Sequence, residues 1–215
     1  MEKIKFTTKD GVDIAGVWWN AKGQKTALLF HMMPATKESW LPFAEALFRK
    51  GCNVLAIDFR GHGESGGGDY KTFTSEQHRS YILDAHAAVH FIRERQDDIM
   101  PDMVLAGASI GANIALRVSM EYEWIERALL LSAGLDYHGV NIGEDIRVQD
   151  PALYAVRPYF VTSRDDADNA QQSALLHNLY GGSLTTYDTG GHGTDIFKTH
   201  PELLGASVEY LLSRE

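Results

Sequence analysis

The chain has 215 residues, 44 % of them hydrophobic and 23 % charged, which predicts one folded domain over residues 1–215. Its 29 acidic and 20 basic residues give a net charge of -9 with no Lys/Arg block, which argues against binding a phosphate backbone, and so against a nucleic-acid partner. Cys52 is alone, which excludes an intrachain disulfide and a multi-Cys zinc site. There is no leading apolar segment and no apolar run of about 18 residues, so neither a signal peptide nor a membrane partner is predicted and a cytoplasmic location is expected.

In chain order, Lys3–Thr8 and Val12–Trp19 read as two antiparallel strands turning at Asp10-Gly11. Thr26–His31 is a short continuous apolar run, the pattern of a strand buried on both faces. A helix is predicted over Glu38–Lys50 and ends at Gly51; the strand Asn53–Asp58 then leads into a glycine-rich loop, Gly61–Gly68. Ser75–Arg95 reads as one long helix with Ile82, Ala85, Val89 and Ile92 on one face. Strands follow at Met103–Ala108, Arg127–Ser132, Tyr159–Thr162 and Ser183–Thr189. Helices are predicted at Ile110–Glu121, Ala167–Tyr180 and Pro201–Ser213, the last with Leu204, Val208 and Leu211 inward. The polar stretch from Ala133 to Pro158 reads as a loop with one short helix at Pro151–Val156. The succession predicts an α/β fold: a mostly parallel sheet, opened by an antiparallel hairpin and covered by helices on both sides.

Ligands of such sheets bind at the carboxyl ends of the strands. There, Gly107-Ala108-Ser109-Ile110-Gly111 spells GxSxG directly between a buried strand and a helix. A sharp strand-to-helix turn of this kind holds a serine hydroxyl up in the cleft, above a helix N-terminus that favours developing negative charge. A serine becomes a competent nucleophile only beside a base, which in turn needs an orienting acid. Of nine histidines, His192 alone lies downstream in a glycine-flanked loop after a strand, in Gly190-Gly191-His192-Gly193. Asp165, Asp166 and Asp168 all follow the strand before it and all offer a carboxylate.

These motifs together resemble the α/β-hydrolase superfamily, in particular its small dienelactone-hydrolase-like and carboxylesterase-like members. Leu28-Leu29-Phe30-His31-Met32-Met33-Pro34 with Glu38-Ser39-Trp40 is similar to the family's oxyanion-loop strand. Asp58-Phe59-Arg60-Gly61-His62-Gly63-Glu64-Ser65 matches its loop after the following strand, and Gly191-His192-Gly193 looks like its histidine loop. The resemblance implies an α/β-hydrolase fold with a minimal cap or none, and a catalytic triad of Ser109, Asp166 and His192. Counting from Ser163 selects Asp166 as the acid; counting back from Gln172-Ser173 selects Asp165, which stays as the alternative. By analogy the backbone amides of Met33 and Ile110 form the oxyanion hole.

Dienelactone hydrolases carry cysteine where this chain has Ser109, so the implied activity is that of a carboxylesterase acting on a small-molecule ester, with no cofactor and no metal. A thioesterase or lactonase on the same machinery is an alternative, and a non-catalytic ligand-binding protein on the same fold is another. Where the family has His-Gly, this chain has His31-Met32, which narrows the backbone freedom beside the Met33 donor.

Several other signals read as decoys. Gly61-His62-Gly63-Glu64-Ser65-Gly66 spells GxGxxG, but no helix opens after it, as a dinucleotide site requires. His86 and His90 have the i, i+4 spacing of metal ligands with no third ligand at a motif-like distance. Arg60 and His62 are expected to brace their loop, and His31 to support the oxyanion loop. Of Trp18 and Trp19, one is expected in the core and the other at its rim.

Overall fold

The computed structural model describes residues 1–96, 102–122, 124–142 and 155–213. The first two strands, β1 (Glu2–Thr7) and β2 (Asp13–Trp19), pair antiparallel around a turn in which Gly11 takes φ +83°. Then come β3 (Lys25–Phe30), β4 (Asn53–Ile57), β5 (Asp102–Ala108) and β6 (Arg127–Leu131). A two-stranded ribbon, β7 (Asp136–Tyr137) and β8 (Val140–Asn141), precedes β9 (Arg157–Ser163) and β10 (Ser183–Tyr187). The main sheet has eight strands in the order β1-β2-β4-β3-β5-β6-β9-β10. From β4 to β10 all neighbours run parallel, whereas β2 meets both β1 and β4 antiparallel.

The central parallel strands are apolar over most of their length, on both faces, because both faces are covered. Leu28, Phe30, Leu55, Ile57, Leu105 and Leu130 point into one core. There they meet α3 (Tyr81–Arg95), α4 (Ile110–Glu121) and α5 (Ala167–Tyr180) through Ala85, Ile92, Ile114 and Leu176. The alternate residues Ala27, Leu29, Val54, Ala56, Leu129 and Leu131 point the other way. They pack against α1 (Leu41–Arg49) and α6 (Pro201–Leu212) through Phe43, Leu47, Val208 and Leu211. Trp18 and Trp19 also divide between the two cores, but both are buried, at 3 % and 4 % exposure. Neither is a rim residue, because helices cover this antiparallel strand on both sides.

Three elements differ from the sequence reading. The helix expected at Glu38–Lys50 begins as a 3-10 turn, Lys37–Trp40, before α1 takes over with Pro42 in its first turn. The helix expected over Ser75–Arg95 divides at Ser80, with α2 (Ser75–Arg79) preceding α3. The Ser80 hydroxyl donates back to the Glu76 carbonyl at 3.1 Å, a side-chain bond that competes with the helix ladder. Within the stretch read as a loop, β7 and β8 form a hairpin whose two turn residues, His138 and Gly139, have φ +53° and +88°. A two-residue turn with both φ values positive matches the twist of paired strands. The short helix expected at Pro151–Val156 lies outside the described residues, apart from Ala155 and Val156. Among the described residues, no helix is long and apolar enough to cross a membrane.

Candidate active site

The parallel strands share a direction, so the loops after β3, β5, β6, β9 and β10 gather at one rim of the sheet. Ser109 sits between β5 and α4 at φ 55° and ψ −123°, a region that costs a side-chain-bearing residue about 1–3 kcal/mol. The neighbours hold it there. The Ser109 N–H donates to the Leu131 carbonyl at 2.8 Å, and the Ala112 N–H closes back on the Ser109 carbonyl at 2.8 Å. Gly107 and Gly111 are required by close approach: a Cβ on Gly107 would lie 2.1 Å from the Gly111 carbonyl oxygen, and one on Gly111 would lie 2.4 Å from that of Phe30. The elbow therefore packs against the end of β3, where the loop carrying Met32 and Met33 begins.

After β10, Gly191 and Gly193 take φ +71° and +58° and turn His192 toward the end of β9. Its Nδ1 lies 2.5 Å from Asp166 Oδ2, with the two side chains 35 % and 25 % exposed. A carboxylate at Nδ1 fixes the proton on that nitrogen and leaves Nε2 as the free lone pair. Asp165 faces elsewhere, accepting the Gly190 N–H at 3.1 Å and the Gly191 N–H at 3.2 Å. The Ser163 hydroxyl and these amides hold its carboxyl below the ordinary carboxylate value. One carboxylate thus binds the ring and its neighbour binds the backbone of the same loop. Asp168 lies in the first turn of α5.

Ile110 opens α4 directly after Ser109, and Met33 lies in the loop leaving β3. His31 anchors the start of that loop. Its Nε2 accepts the Phe59 N–H at 3.0 Å, so Nδ1 carries the ring proton and donates to the Met32 carbonyl at 2.8 Å. Burial pushes the His31 pKa down to about 4, so the ring is neutral in the working range. Met32, which replaces the family's glycine, reaches toward the histidine loop, its Sδ 3.9 Å from Thr194 Oγ1. Further along, the loop is tied down by Lys37, and Met33 Sδ accepts from the Tyr81 hydroxyl at 3.8 Å.

The Gly61–Gly68 loop wraps a carboxylate: a Cβ on Gly63 would lie 2.2 Å from Asp58 Oδ2, which the Glu64 N–H reaches at 2.9 Å. Arg60 braces the loop through Asp84 and Asp10, and His62 through the Tyr81 hydroxyl at 3.0 Å. His86 Nε2 lies 2.5 Å from Glu121 Oε2 in a groove of about 520 Å³ that His90, Phe6 and Tyr122 also line, between β1 and α3. Among the described residues, no three His, Cys, Asp or Glu side chains come together in a way that could hold a metal ion.

Three residues that the sequence reading passes over complete the site. Ser132, fully buried at φ +53°, accepts the Gly193 N–H on its hydroxyl at 2.9 Å. Asn169, one turn into α5 from Asp166, donates to the Ser132 carbonyl at 3.0 Å. Tyr137, from β7, stands with its ring edge-on to His192 at 6.2 Å, its hydroxyl donating to the Ser132 carbonyl at 2.9 Å. A local signal exists only for Asn169, through its three-residue spacing from Asp166.

The profile of the family described as serine aminopeptidase, S33, matches residues 22–177. The chain belongs to that family. This S33 member has the α/β-hydrolase fold and belongs to the α/β-hydrolase superfamily. The matched span includes the elbow and Asp166 and ends before His192. Among curated proteins, it is 29 % identical over 122 residues to the uncharacterized protein YfhR of Salmonella typhi, covering 54 % of this chain and 39 % of that protein. It is 28 % identical over 120 residues to protein phosphatase methylesterase 1 of Bos taurus, covering 55 % of this chain and 30 % of the relative. The match thus spans well under half the length of either relative. Among solved structures, the Pyrococcus furiosus esterase Pf2001 superposes with a TM-score of 0.77 at 19 % identity, covering 98 % of this chain and 89 % of that one. An esterase from Exiguobacterium antarcticum gives 0.73 at 13 % identity, covering 99 % and 100 %. At these identities the likeness is one of fold.

Proposed function

We propose that this hydrolase is a carboxylesterase that cleaves small esters through an acyl-enzyme on Ser109. His192 Nε2 takes the Ser109 proton as Oγ attacks the acyl carbonyl, and then gives it to the departing alcohol. Water enters, His192 deprotonates it, and collapse of the second tetrahedral intermediate releases the acid and restores Ser109. Asp166 keeps the proton of His192 on Nδ1 and stabilises the imidazolium formed in each half. The amides of Met33 and Ile110 stabilise the oxyanion, a pair of donors contributing several kcal/mol.

The observation that carries this reading is the 2.5 Å approach of His192 Nδ1 to Asp166 Oδ2 at the rim where the elbow presents Ser109. Esterases among the structural neighbours support it at the level of fold, and the methylesterase relative favours a small alcohol as leaving group. Labelling with a fluorophosphonate probe tests it. The native protein should label on Ser109 and Ser109→Ala should not; an unlabelled native protein would refute the esterase reading.

A further inference from the structure

Ser132 follows β6 directly and has φ +53°, a left-handed backbone that glycine takes without strain and serine does not. What the side chain adds there is an acceptor: its buried hydroxyl receives the Gly193 N–H at 2.9 Å. The rest of Ser132 is tied down. Its N–H donates to the Val161 carbonyl at 2.8 Å, and its carbonyl accepts the Tyr137 hydroxyl at 2.9 Å and Asn169 Nδ2 at 3.0 Å. The hydroxyl is thus carried on backbone that β9, β7 and α5 hold in place.

The residue before it holds the proposed nucleophile. The Leu131 carbonyl accepts the Ser109 N–H at 2.8 Å, so two consecutive residues at one strand end grip the elbow and the histidine loop. On the loop side, the Gly193 N–H belongs to the peptide that follows His192. The carbonyl of the peptide before His192, that of Gly191, accepts the Ser163 hydroxyl at 2.6 Å. Both peptides flanking His192 are therefore pinned, which fixes its Cα, while Asp166 fixes the ring that hangs from it. Gly193 also packs tightly beside the elbow: an added Cβ would lie 2.5 Å from Met32 Sδ and 3.3 Å from the Cβ of Ala108, the residue before Ser109.

We infer that Ser132 is a positioning residue: by holding the Gly193 amide on the strand end that also holds Ser109, its hydroxyl sets the distance between His192 Nε2 and Ser109 Oγ. This rests on the reading of His192 as the base and deepens it. Without the hydroxyl, the Gly193 N–H is a buried donor that has lost its acceptor, and the loop shifts. A misplacement of about 1 Å at reacting groups can cost about a hundredfold. Every proton transfer at Nε2 suffers alike, so acylation and deacylation slow together. In an acyl-enzyme scheme KM depends on the ratio of these two steps, and so it stays unchanged.

The test is steady-state hydrolysis of p-nitrophenyl acetate by Ser132→Gly, which accepts the φ and removes the hydroxyl, and by Ser132→Ala, which removes the hydroxyl and keeps the Cβ. Each is made in the wild-type chain and in His192→Ala; either one suffices where the other folds poorly. In the wild-type chain both should lose about tenfold to a hundredfold in kcat, with KM within about twofold. Their losses should match even where their urea midpoints differ. In His192→Ala, the same changes should leave the residual turnover within about twofold, since a group that acts through His192 has nothing left to position. An unchanged kcat, a loss carried by KM, a loss that follows the unfolding midpoint, or an equal loss with His192 absent overturns the assignment. A His192→Ala protein that keeps wild-type turnover overturns the triad reading, and this one with it.

Discussion

The Lys37 ammonium donates to Asp58 Oδ2 at 2.6 Å with the two side chains 2 % and 0 % exposed, so a buried ion pair fastens the segment after β3 to the loop after β4. The Lys37 N–H also reaches Asp58 Oδ1 at 2.9 Å. Burial works against the charge on Lys37, yet the carboxylates of Asp58, Glu38 and Glu64 together raise its pKa above the ordinary lysine value. Removing one member of such a pair strands the other in the interior. Lys37→Met should lower stability by about 3–5 kcal/mol, read from urea unfolding. Lys37→Met with Asp58→Asn should recover part of it; simple additivity would mean that the pair is not coupled.

For the nucleophile, Ser109→Ala should lower esterase turnover by several orders of magnitude and leave the far-ultraviolet spectrum and the unfolding midpoint nearly unchanged. Half-maximal activity in the variant would remove Ser109 from the mechanism.

The adjacent aspartates should separate by function. Asp166→Asn replaces the acceptor at Nδ1 by an amide that favours the wrong tautomer, with an expected loss of about 10⁴-fold in kcat. Asp165→Asn leaves the ring alone and weakens the bonds to the Gly190 and Gly191 amides, so its loss should be below about tenfold. The reverse ranking would make Asp165 the acid.

Acid should destabilise the protein through its buried histidines. Burial lowers His31 from 6.5 to about 4 and His62 from 6.5 to about 3. Below about pH 6.5 the unfolded chain takes up these protons and the folded one does not, so stability is fully present above that pH and is lost on acidification toward the folded values. His31→Gln should flatten the dependence of the unfolding midpoint between about pH 4 and 6.5. An unchanged slope would show that His31 does not carry it.

Substrate size is a third consequence of the esterase reading. The Tyr137 ring, edge-on to His192, adds an aromatic wall to a site for which the family resemblance implies a minimal cap or none. Each buried methylene contributes about 0.8 kcal/mol, so acyl chains that outrun the wall gain nothing further. In a p-nitrophenyl ester series, kcat/KM should peak between acetyl and butyryl, and a maximum at decanoyl or beyond would rule this out.

What could be read in the sequence was what local pattern carries. The strand–GxSxG–helix context marks Ser109 because the turn itself demands those glycines, and the continuous apolar strands mark a sheet covered on both faces. Asp165 and Asp166 could not be told apart by spacing: adjacent residues at a strand end point in different directions, and only the path of the histidine loop decides which meets the ring. Tyr137 was invisible because its two-residue strands turn on His138-Gly139, a less familiar pair than Asn-Gly. Its partners also come from β6 and α5, far along the chain. The two tryptophans misled for a similar reason, since alternation along β2 shows that they face opposite ways but not that both faces are covered.

The histidine loop depends on β10, the last strand of the main sheet, which among the described residues pairs with β9 alone. Ser109, by contrast, is rooted between β5 and α4 in the middle of the molecule. Edge strands open more readily than central ones, through local fluctuations that leave the rest folded. Warming should therefore disconnect His192 from a still-intact Ser109 before the domain melts, so that activity fails reversibly several degrees below the cooperative transition.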